Sequence, residues 1–167
     1  GKLYLYRYSC KSYFLNMEIL RAKLVNFRNY ANLDLKINSM VNVIYGGNAQ
    51  GKTNFLEGIY YAAFGFPFRT KTDDEVKQFG KEGFLTEIEY QNNYGKNKLV
   101  VKRYKEQNKT KKTMTFNDNN ISSKEHYGLL NIVLFGPDDL QIVKGEPGLR
   151  RKCLDMEIAQ INKYYYQ

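Results

Sequence analysis

One run of eight residues has the spacing needed to hold a phosphate chain. Residues 46 to 53 read GGNAQGKT and match the pattern G-x-x-x-x-G-K-T without a gap. Glycines let consecutive backbone N–H groups approach phosphate oxygens closely. The lysine brings a positive charge to the β- and γ-phosphates, and the threonine hydroxyl suits Mg²⁺. The run therefore predicts a nucleotide-binding loop, and a glycine-rich turn joining two elements is the alternative.

The residues predicted to bind ATP share this segment, which we call the phosphate loop (residues 46–53). They are Gly46, Gly47, Asn48, Ala49, Gln50, Gly51, Lys52 and Thr53. Thr53 is also the predicted Mg²⁺ ligand, so the motif predicts a nucleotide with Mg²⁺, and the choice of ATP as that nucleotide comes from the family resemblance below. The motif alone does not separate a kinase, a GTPase, a helicase and a transporter ATPase. No catalytic residue is predicted, and the single histidine, His126, is interpreted as structural or exposed.

The phosphate loop is predicted to join a strand to a helix. Val41–Tyr45 is an apolar run typical of a strand, and apolar residues from 53 to 64 recur at helical spacing before Gly65. The free N–H groups and dipole at the start of that helix would add to the phosphate site. Two more strands are predicted before the loop, at Glu18–Val25 and Leu33–Ile37.

After the helix, the hydrophobic period changes from helical to alternating. Residues 83–91, 98–106 and 111–118 predict three antiparallel strands joined by short turns. Strands that alternate with helices, with a meander inserted between them, predict an α/β core with a small antiparallel β lobe.

Shorter elements flank this meander. A short helix is predicted from Thr72 or Asp73 to Gly80, and a second one at the capping box Ser122 to Glu125. The apolar run Asn131–Phe135 predicts a buried strand. A last helix is predicted from Pro147 towards residue 161, because proline suits a first helical position.

The charge balance favours a polyanionic partner. The net charge is +9, from 26 Lys and Arg against 17 Asp and Glu, and the alternative is a merely basic, solvated surface.

Between residues 93 and 112 there are eight basic residues and one acid. We call these eight residues the hairpin cations, and they are Lys96, Lys98, Lys102, Arg103, Lys105, Lys109, Lys111 and Lys112. They predict a row of DNA phosphate contacts, with Tyr94 and Tyr104 available for stacking. A solvated hairpin whose lysines protect an edge strand is the alternative.

The first 16 residues differ from the rest. They alternate aromatic and polar residues, so they are interpreted as an extension or non-native segment or as a strand, with Met17 as a plausible start. No apolar run is long enough to span a membrane. Cys10 and Cys153 are far apart and no secretion signal is recognisable, which predicts reduced thiols and a cytoplasmic location.

Three separated motifs, in order, resemble one protein family. They are VNFRNY at 25–30, NAQGKTN at 48–54, and LFGPDDLQIVKGEPGLRRKCLD at 134–155. From Met17 to the end, the sequence resembles the N-terminal part of the RecF family of bacterial DNA-repair ATPases. The resemblance implies a P-loop NTPase fold, the N-terminal half of an ABC-type head. It also implies an ATP-dependent homodimer that acts as a clamp on single-stranded, gapped or duplex DNA. The processes implied are repair, replication and the SOS response, with RecO and RecR as partners.

Two departures from the family qualify this resemblance. Glu usually follows the first loop glycine, where this chain has Gly47. Phosphate binding should survive, since backbone N–H groups do the work, but an unliganded loop should be looser. A Ser-Gly signature loop and a strand ending in two acids are not seen. Asp138 and Asp139 follow Gly136 and Pro137, and we reject them as the metal-holding pair. Residues 17–167 are thus interpreted as part of a head, with weak DNA-dependent ATPase activity expected only in a full-length dimer.

Two other functions remain open at the level of sequence. A chromosome-organising ATPase head of the SMC type would require long heptad coiled coils elsewhere in the protein. A P-loop small-molecule kinase would require a lid and an acceptor pocket, which a basic hairpin does not supply.

Overall fold

A computed structural model describes residues 3–5, 17–37, 41–135, 147–148, 151, 154–155, 158 and 160. Within these residues the strands are β1 (Leu3–Leu5), β2 (Glu18–Phe27), β3 (Tyr30–Lys36), β4 (Asn42–Ile44), β5 (Phe84–Asn92), β6 (Gly95–Glu106), β7 (Lys109–Phe116) and β8 (Asn119–Asn120). The helices with defined bounds are α1 (Lys52–Phe64) and α2 (Ser123–His126), and a 3₁₀ turn covers Asp73–Glu75. Each described position between 147 and 160 is also helical.

An antiparallel sheet of six strands, in the order β3-β2-β5-β6-β7-β8, forms the larger part of this structure. Strand β2 pairs with β3 on one side and with β5 on the other, so Ala22 lies opposite Leu35 of β3 and Ile88 of β5. Alternate residues of each strand point to the same face, so the buried side chains of β2, β5 and β6 form one continuous apolar surface. The strand that leads into the phosphate loop, β4, pairs instead with β1 in a sheet of two strands.

Helix α1 covers the apolar face of the six-stranded sheet. Every residue from Phe55 to Phe64 is buried, as expected for a helix packed on more than one side. Gly58 permits the close approach, because a Cβ at that position would lie 2.6 Å from the methyl groups of Leu24. Tyr61 meets Phe27 and Phe84 edge to face, with ring centroids 5.9 and 5.0 Å apart. This packing fixes α1, and with it the phosphate loop, against the sheet.

Most predicted elements are present. The predicted helix after the loop matches α1, and Gly65 ends it in a left-handed conformation with φ 75°. The three predicted meander strands match β5, β6 and β7. The antiparallel lobe is larger than expected, because β2 pairs with β5 and brings β3 with it. The capping box at Ser122 is confirmed, since its hydroxyl accepts a hydrogen bond from the backbone N–H of Glu125.

Two predictions of secondary structure were wrong. The helix expected up to Gly80 is only the 3₁₀ turn Asp73–Glu75. The buried strand expected at Asn131–Phe135 is absent, and Val133 and Phe135 are 76% and 67% exposed. An apolar run becomes a buried strand only where neighbouring strands pair with it, and none of the described residues does so here.

The division of the chain into an extension (residues 1–16) and part of an ATPase head (residues 17–167) stays a prediction. Of the extension the structure describes Leu3–Leu5, whose backbone pairs antiparallel with β4, with Leu3 opposite Ile44. Among the described residues, no helix is both long enough and apolar enough to cross a membrane.

His126 was interpreted from the sequence as either structural or exposed, and the structure shows that it is buried. It is fully buried beside Gly65 at the end of α1, and neither ring nitrogen has a hydrogen-bond partner among the described residues. Burial, with a smaller contribution from the nearby charge of Lys112, lowers the pKa of His126 to about 4. The folded state therefore favours the neutral imidazole.

This burial predicts a loss of stability in mild acid. An unfolded histidine has a pKa of about 6.5, so its stabilising contribution is complete above that pH and declines towards pH 4. Between pH 7.5 and pH 5 we expect the free energy of unfolding to fall by about 2 kcal/mol through this residue. Urea unfolding of the wild type and of His126→Leu at both pH values measures the difference. An equal pH dependence in the two proteins would show that the pKa of His126 is the same in the folded and unfolded states.

Candidate nucleotide-binding site

The phosphate loop starts just beyond β4 and ends in the first turn of α1. Residues 46 to 50 are exposed, whereas Gly51 is buried and has φ 99°. A Cβ at Gly51 would lie 2.6 Å from the side-chain amide of Asn29 and 3.0 Å from the hydroxyl of Tyr30. Tyr30 donates a hydrogen bond of 3.1 Å to the carbonyl of Gly51. The loop is thus anchored at its last glycine, by Asn29 in the turn between β2 and β3 and by Tyr30 at the start of β3.

The start of α1 is suited to an anion. Gly51 is the N-cap and provides no side-chain cap, and the first turn contains no acidic residue. The first N–H groups of a helix have no partner within the helix, and its dipole favours negative charge there. A phosphate group supplies acceptors and charge at this position, so the loop residues fit the phosphate chain of a nucleotide.

The side chain of Lys52 points into the phosphate loop and bonds to its backbone. Its Nζ donates hydrogen bonds to the carbonyls of Gly46, at 2.8 Å, and of Gly47, at 2.6 Å. Both acceptors are neutral carbonyls, so among the described residues the charge of Lys52 is not balanced by a carboxylate. The hydrogen bond from Lys52 to the carbonyl of Gly47 also restrains the residue that was expected to make the unliganded loop looser.

The Mg²⁺ assignment stays a prediction. Thr53 is exposed at the start of α1, where its hydroxyl is accessible to a cation held by phosphates. Within the residues that the structure describes, no group of three or more His, Cys, Asp or Glu side chains could hold a metal ion. Asp138 and Asp139 lie outside the described residues.

A polar cluster lies beside the loop on α1. The carboxylate of Glu57 is 1% exposed and accepts hydrogen bonds from Arg28, at 2.8 and 3.0 Å, and from Arg69, at 3.0 Å. Burial alone would raise the pKa of Glu57, but the hydrogen bonds and charges of the two arginines outweigh it, and the pKa lies below its usual value. The carboxylate is therefore charged at neutral pH.

The same cluster reaches the loop through Asn54. Its side chain donates to Asn29 at 2.9 Å and accepts from Arg69 at 2.8 Å. Because Asn29 packs against Gly51, Arg69 is linked to the phosphate loop through two side chains.

Half of the hairpin cations are bound within the protein. Lys98 lies 2.5 Å from Asp118, Arg103 lies 2.7 Å from Asp74, and Lys111 pairs with Glu106. Lys112 lies 3.1 Å from Asp73, donates to the carbonyl of Gly65 and stands over the ring of Tyr61. Arg103 and Lys112 therefore hold the 3₁₀ turn and the end of α1 to the sheet.

The other half is exposed and available. Lys96, Lys102, Lys105 and Lys109 form no ion pair with any acid in the described part of the chain. Lys102 stands 4.8 Å above the ring of Tyr104, and Tyr94, in the turn between β5 and β6, is 86% exposed. The structure thus divides the eight predicted DNA contacts into four that have acidic partners and four that have none among the described residues.

Comparison with known proteins places the fold. Residues 21–146 match the model of the family described as AAA domain. The chain belongs to the AAA domain family. It is 39% identical over 150 residues to the DNA replication and repair protein RecF of Clostridium tetani, and 41% identical over 150 residues to that of Clostridium novyi. These alignments cover 90% of this chain and 40% and 41% of the relatives.

Solved structures agree with this assignment. A structure described as the recombination mediator protein RecF-ATP in the RecFOR pathway superposes with a TM-score of 0.78 at 31% identity, over 92% of this chain and 42% of the other. A chain from a study of ATP-driven dimerization and DNA-stimulated activation of SMC ATPases superposes at 0.63 with 18% identity, over 86% of this chain and 99% of the other. The second likeness shows the fold alone.

The comparisons confirm two predictions. The chain resembles the N-terminal part of RecF, and its fold is that of a P-loop NTPase of the ABC type. The chain spans about two fifths of the length of the relatives that it matches.

Sequence reasoning did not identify Glu57 as the carboxylate that Arg28 and Arg69 share. A glutamate within the apolar run from residue 55 to residue 64 was the available signal, since a charged residue on a buried helix is rarely left without partners. Its two arginines lie 29 and 12 residues away, and no local pattern links them to Glu57.

Proposed function

We propose that this chain is the ATP-binding and DNA-contacting N-terminal part of a RecF-like ATPase of DNA repair and replication. The observation that carries the proposal is the phosphate loop, anchored at Gly51, with Lys52 pointing into it and an uncapped helix behind it. In this proposal the loop N–H groups and Lys52 hold the phosphates of ATP, and Thr53 ligates the Mg²⁺ that accompanies them. The likeness to RecF, including a structure described as RecF-ATP, supports the same choice of nucleotide.

The proposal extends to assembly. Two heads with ATP between them would form a homodimer that acts as a clamp on DNA, in the cytoplasm, with RecO and RecR as partners and the SOS response as one setting. Hydrolysis would depend on segments found in the longer relatives. Sedimentation of the full-length protein with and without ATP tests the dimer: a shift to twice the mass with ATP is expected, and an unchanged monomer would contradict it.

We propose that DNA contacts the hairpin lysines that lack an acidic partner among the described residues, rather than all eight hairpin cations. Lys102, Lys105 and Lys109 lie on both sides of the turn between β6 and β7 and are free of acidic partners among the described residues. Lysines without an internal partner should contribute most to the affinity for a phosphate backbone. A lysine that is already paired with a carboxylate must break that ion pair before it can bind a phosphate. The turn at the end of β6 and β7 is therefore the proposed phosphate-binding edge.

Reversing the charge of Lys102, Lys105 and Lys109 to glutamate should weaken DNA binding at least tenfold at about 0.1 M salt. The slope of log affinity against log salt should fall by about one unit for each phosphate that the variant no longer neutralises. A salt titration of labelled duplex and single-stranded DNA with full-length protein and ATP provides the measurement.

The matched control for this variant reverses three exposed lysines elsewhere, Lys36, Lys81 and Lys124. It changes the net charge equally and should leave the salt slope nearly unchanged. Equal slopes in the hairpin variant and in the control variant would place the DNA contacts on another surface. ATP affinity should be the same in both variants, since the phosphate loop belongs to other elements.

A chromosome-organising head of the SMC type is the second candidate. The superposition on an SMC ATPase chain over 86% of this chain favours it, but the identity is 18% there against 31% for RecF. Long heptad repeats in the full-length gene product would favour the SMC type, and their absence would favour the RecF type.

A further inference from the structure

Phe79 presents its aromatic ring to solvent at the tip of a tight turn. It is 102% exposed, more than any other large apolar residue among those described. The backbone N–H of Lys81 donates to the carbonyl of Gln78 at 3.1 Å, and Gly80 has φ 76°, which suits the third position of a type II turn. Single exposed apolar residues are common on protein surfaces, so the position of this turn decides what the ring can do.

The turn is fixed to the sheet on both sides. Before the ring, the backbone N–H of Gln78 donates to the carbonyl of Asn26, near the end of β2, at 2.8 Å. After it, Gly83 packs closely on β6, since a Cβ there would lie 2.3 Å from the carbonyl oxygen of Arg103 and 2.8 Å from the Cα of Tyr104. The ring is therefore held at a defined place on the sheet.

This place is the edge of the sheet that carries the proposed phosphate-binding lysines. Phe84, the first residue of β5, lies opposite Arg103, so the hairpin of β6 and β7 continues past the start of β5. Lys105 and Lys109 belong to that projecting part, and Lys102 lies just before it. The turn at Phe79 and these three lysines thus share one edge.

Single-stranded DNA matches both features of this edge. Its phosphates need cations, and its unstacked bases need an aromatic face, a contact that tolerates any sequence because every base has a π face. Tyr104 is the other aromatic residue at this edge, but Lys102 stands 4.8 Å above its ring and occupies one face. The ring of Phe79 is the more open of the two.

A protein partner fits the turn less well than a base does. Residues 77–82 read KQFGKE, so Phe79 is the one apolar side chain of this segment apart from the glycine. An aromatic anchor at the centre of a protein interface is surrounded by further residues that exclude water from it. A lone ring among polar residues lacks that surround, whereas a base requires only the ring itself.

We propose that Phe79 is a stacking platform for one base of single-stranded DNA whose backbone runs along Lys102, Lys105 and Lys109. The inference rests on the proposed function, since these lysines are its DNA contacts, and it adds a contact to the base itself. Duplex DNA gains nothing from this contact, because its bases are already paired and stacked. The ring therefore favours single strands over duplexes at this edge.

The test measures binding of full-length protein with ATP to labelled oligothymidylate, to a strand of equal length without bases, and to a duplex of equal length. For Phe79→Ala, binding of oligothymidylate should be about tenfold weaker, because one stacked base is lost. Binding of the strand without bases and of the duplex should stay within about twofold of the wild type. The slope of log affinity against log salt should not change, since the variant removes no charge.

Three further variants separate stacking from other effects. Phe79→Trp keeps an aromatic face and should bind oligothymidylate at least as tightly as the wild type. Phe79→Leu keeps apolar bulk without a π face and should bind it nearly as weakly as Phe79→Ala. Lys81→Ala removes an exposed charge beside the turn and keeps the ring, so it should stay within about twofold of the wild type. All four variants change exposed side chains and should melt close to the wild type.

The outcomes separate the role of Phe79 from the proposed function. If reversing the hairpin lysines weakens binding of oligothymidylate but Phe79→Ala binds it as the wild type does, the role of Phe79 is overturned while the hairpin contacts stand. An equal loss for Phe79→Ala on the strand without bases would also overturn it, because the ring would not be acting on a base. If the folded wild type binds none of these DNAs, the proposed DNA contact fails, and the role of Phe79 fails with it.

Discussion

Replacing Lys52 with alanine should weaken ATP binding at least tenfold, which corresponds to about 1.4 kcal/mol. The variant removes the one ammonium group that points into the phosphate loop, where it now bridges the carbonyls of Gly46 and Gly47. With ATP bound, that charge would face the β- and γ-phosphates. Equilibrium titration with a fluorescent ATP analogue measures the loss.

The fold should tolerate the Lys52 variant. Gly46 and Gly47 are exposed, so water replaces the hydrogen bonds of the ammonium group at little cost. The melting temperature without nucleotide should therefore change little. Lys124→Ala, which removes an exposed charge from α2, is the matched control and should bind ATP as the wild type does. Equal ATP affinity in all three proteins would refute the assigned role of Lys52.

Replacing Glu57 with alanine should destabilise the protein strongly. Its carboxylate is 1% exposed and is the shared partner of Arg28 and Arg69. Removing it leaves two guanidinium groups beside each other, one of them largely buried, and such uncompensated charges typically cost about 3–5 kcal/mol. Urea unfolding at neutral pH gives the change in the free energy of unfolding.

Glu82→Ala is the control for the Glu57 variant. Glu82 is exposed and has no ion pair with a described residue, so its removal should change stability by less than about 0.5 kcal/mol. Equally small losses in both variants would show that the buried carboxylate of Glu57 does not hold the two arginines in place.

The loop and its helix could be predicted from the sequence because their determinants are local. The spacing of Gly46, Gly51, Lys52 and Thr53 is a continuous pattern, and the apolar residues that follow recur at helical spacing up to Gly65. Alternation was also sufficient for β5, β6 and β7, since a strand that buries one face alternates apolar and polar residues.

The remaining features depend on residues distant in sequence. The pairing of β2 with β5 joins residues that are 60 to 73 positions apart in the sequence. The contacts of Asn29 and Tyr30 with Gly51 likewise join residues more than 20 positions apart. The ion pairs of Arg103 and Lys112 with the acids at positions 74 and 73 also join distant residues. The sequence therefore gave no reason to separate the paired hairpin cations from the unpaired ones. For the same reason the conformation of Asn131–Phe135 was mispredicted, since an apolar sequence does not show whether a neighbouring strand is present to pair with it.

The central claim is that residues 46–53 bind the phosphate chain of ATP. Isothermal titration calorimetry of the chain with ATP, with and without Mg²⁺, tests it most directly, with circular dichroism to establish that the protein is folded. We predict one saturable site per chain, with higher affinity in Mg²⁺ and competition by ADP, since the loop contacts phosphates that both nucleotides carry. A folded protein that shows no saturable binding up to millimolar ATP would contradict the claim.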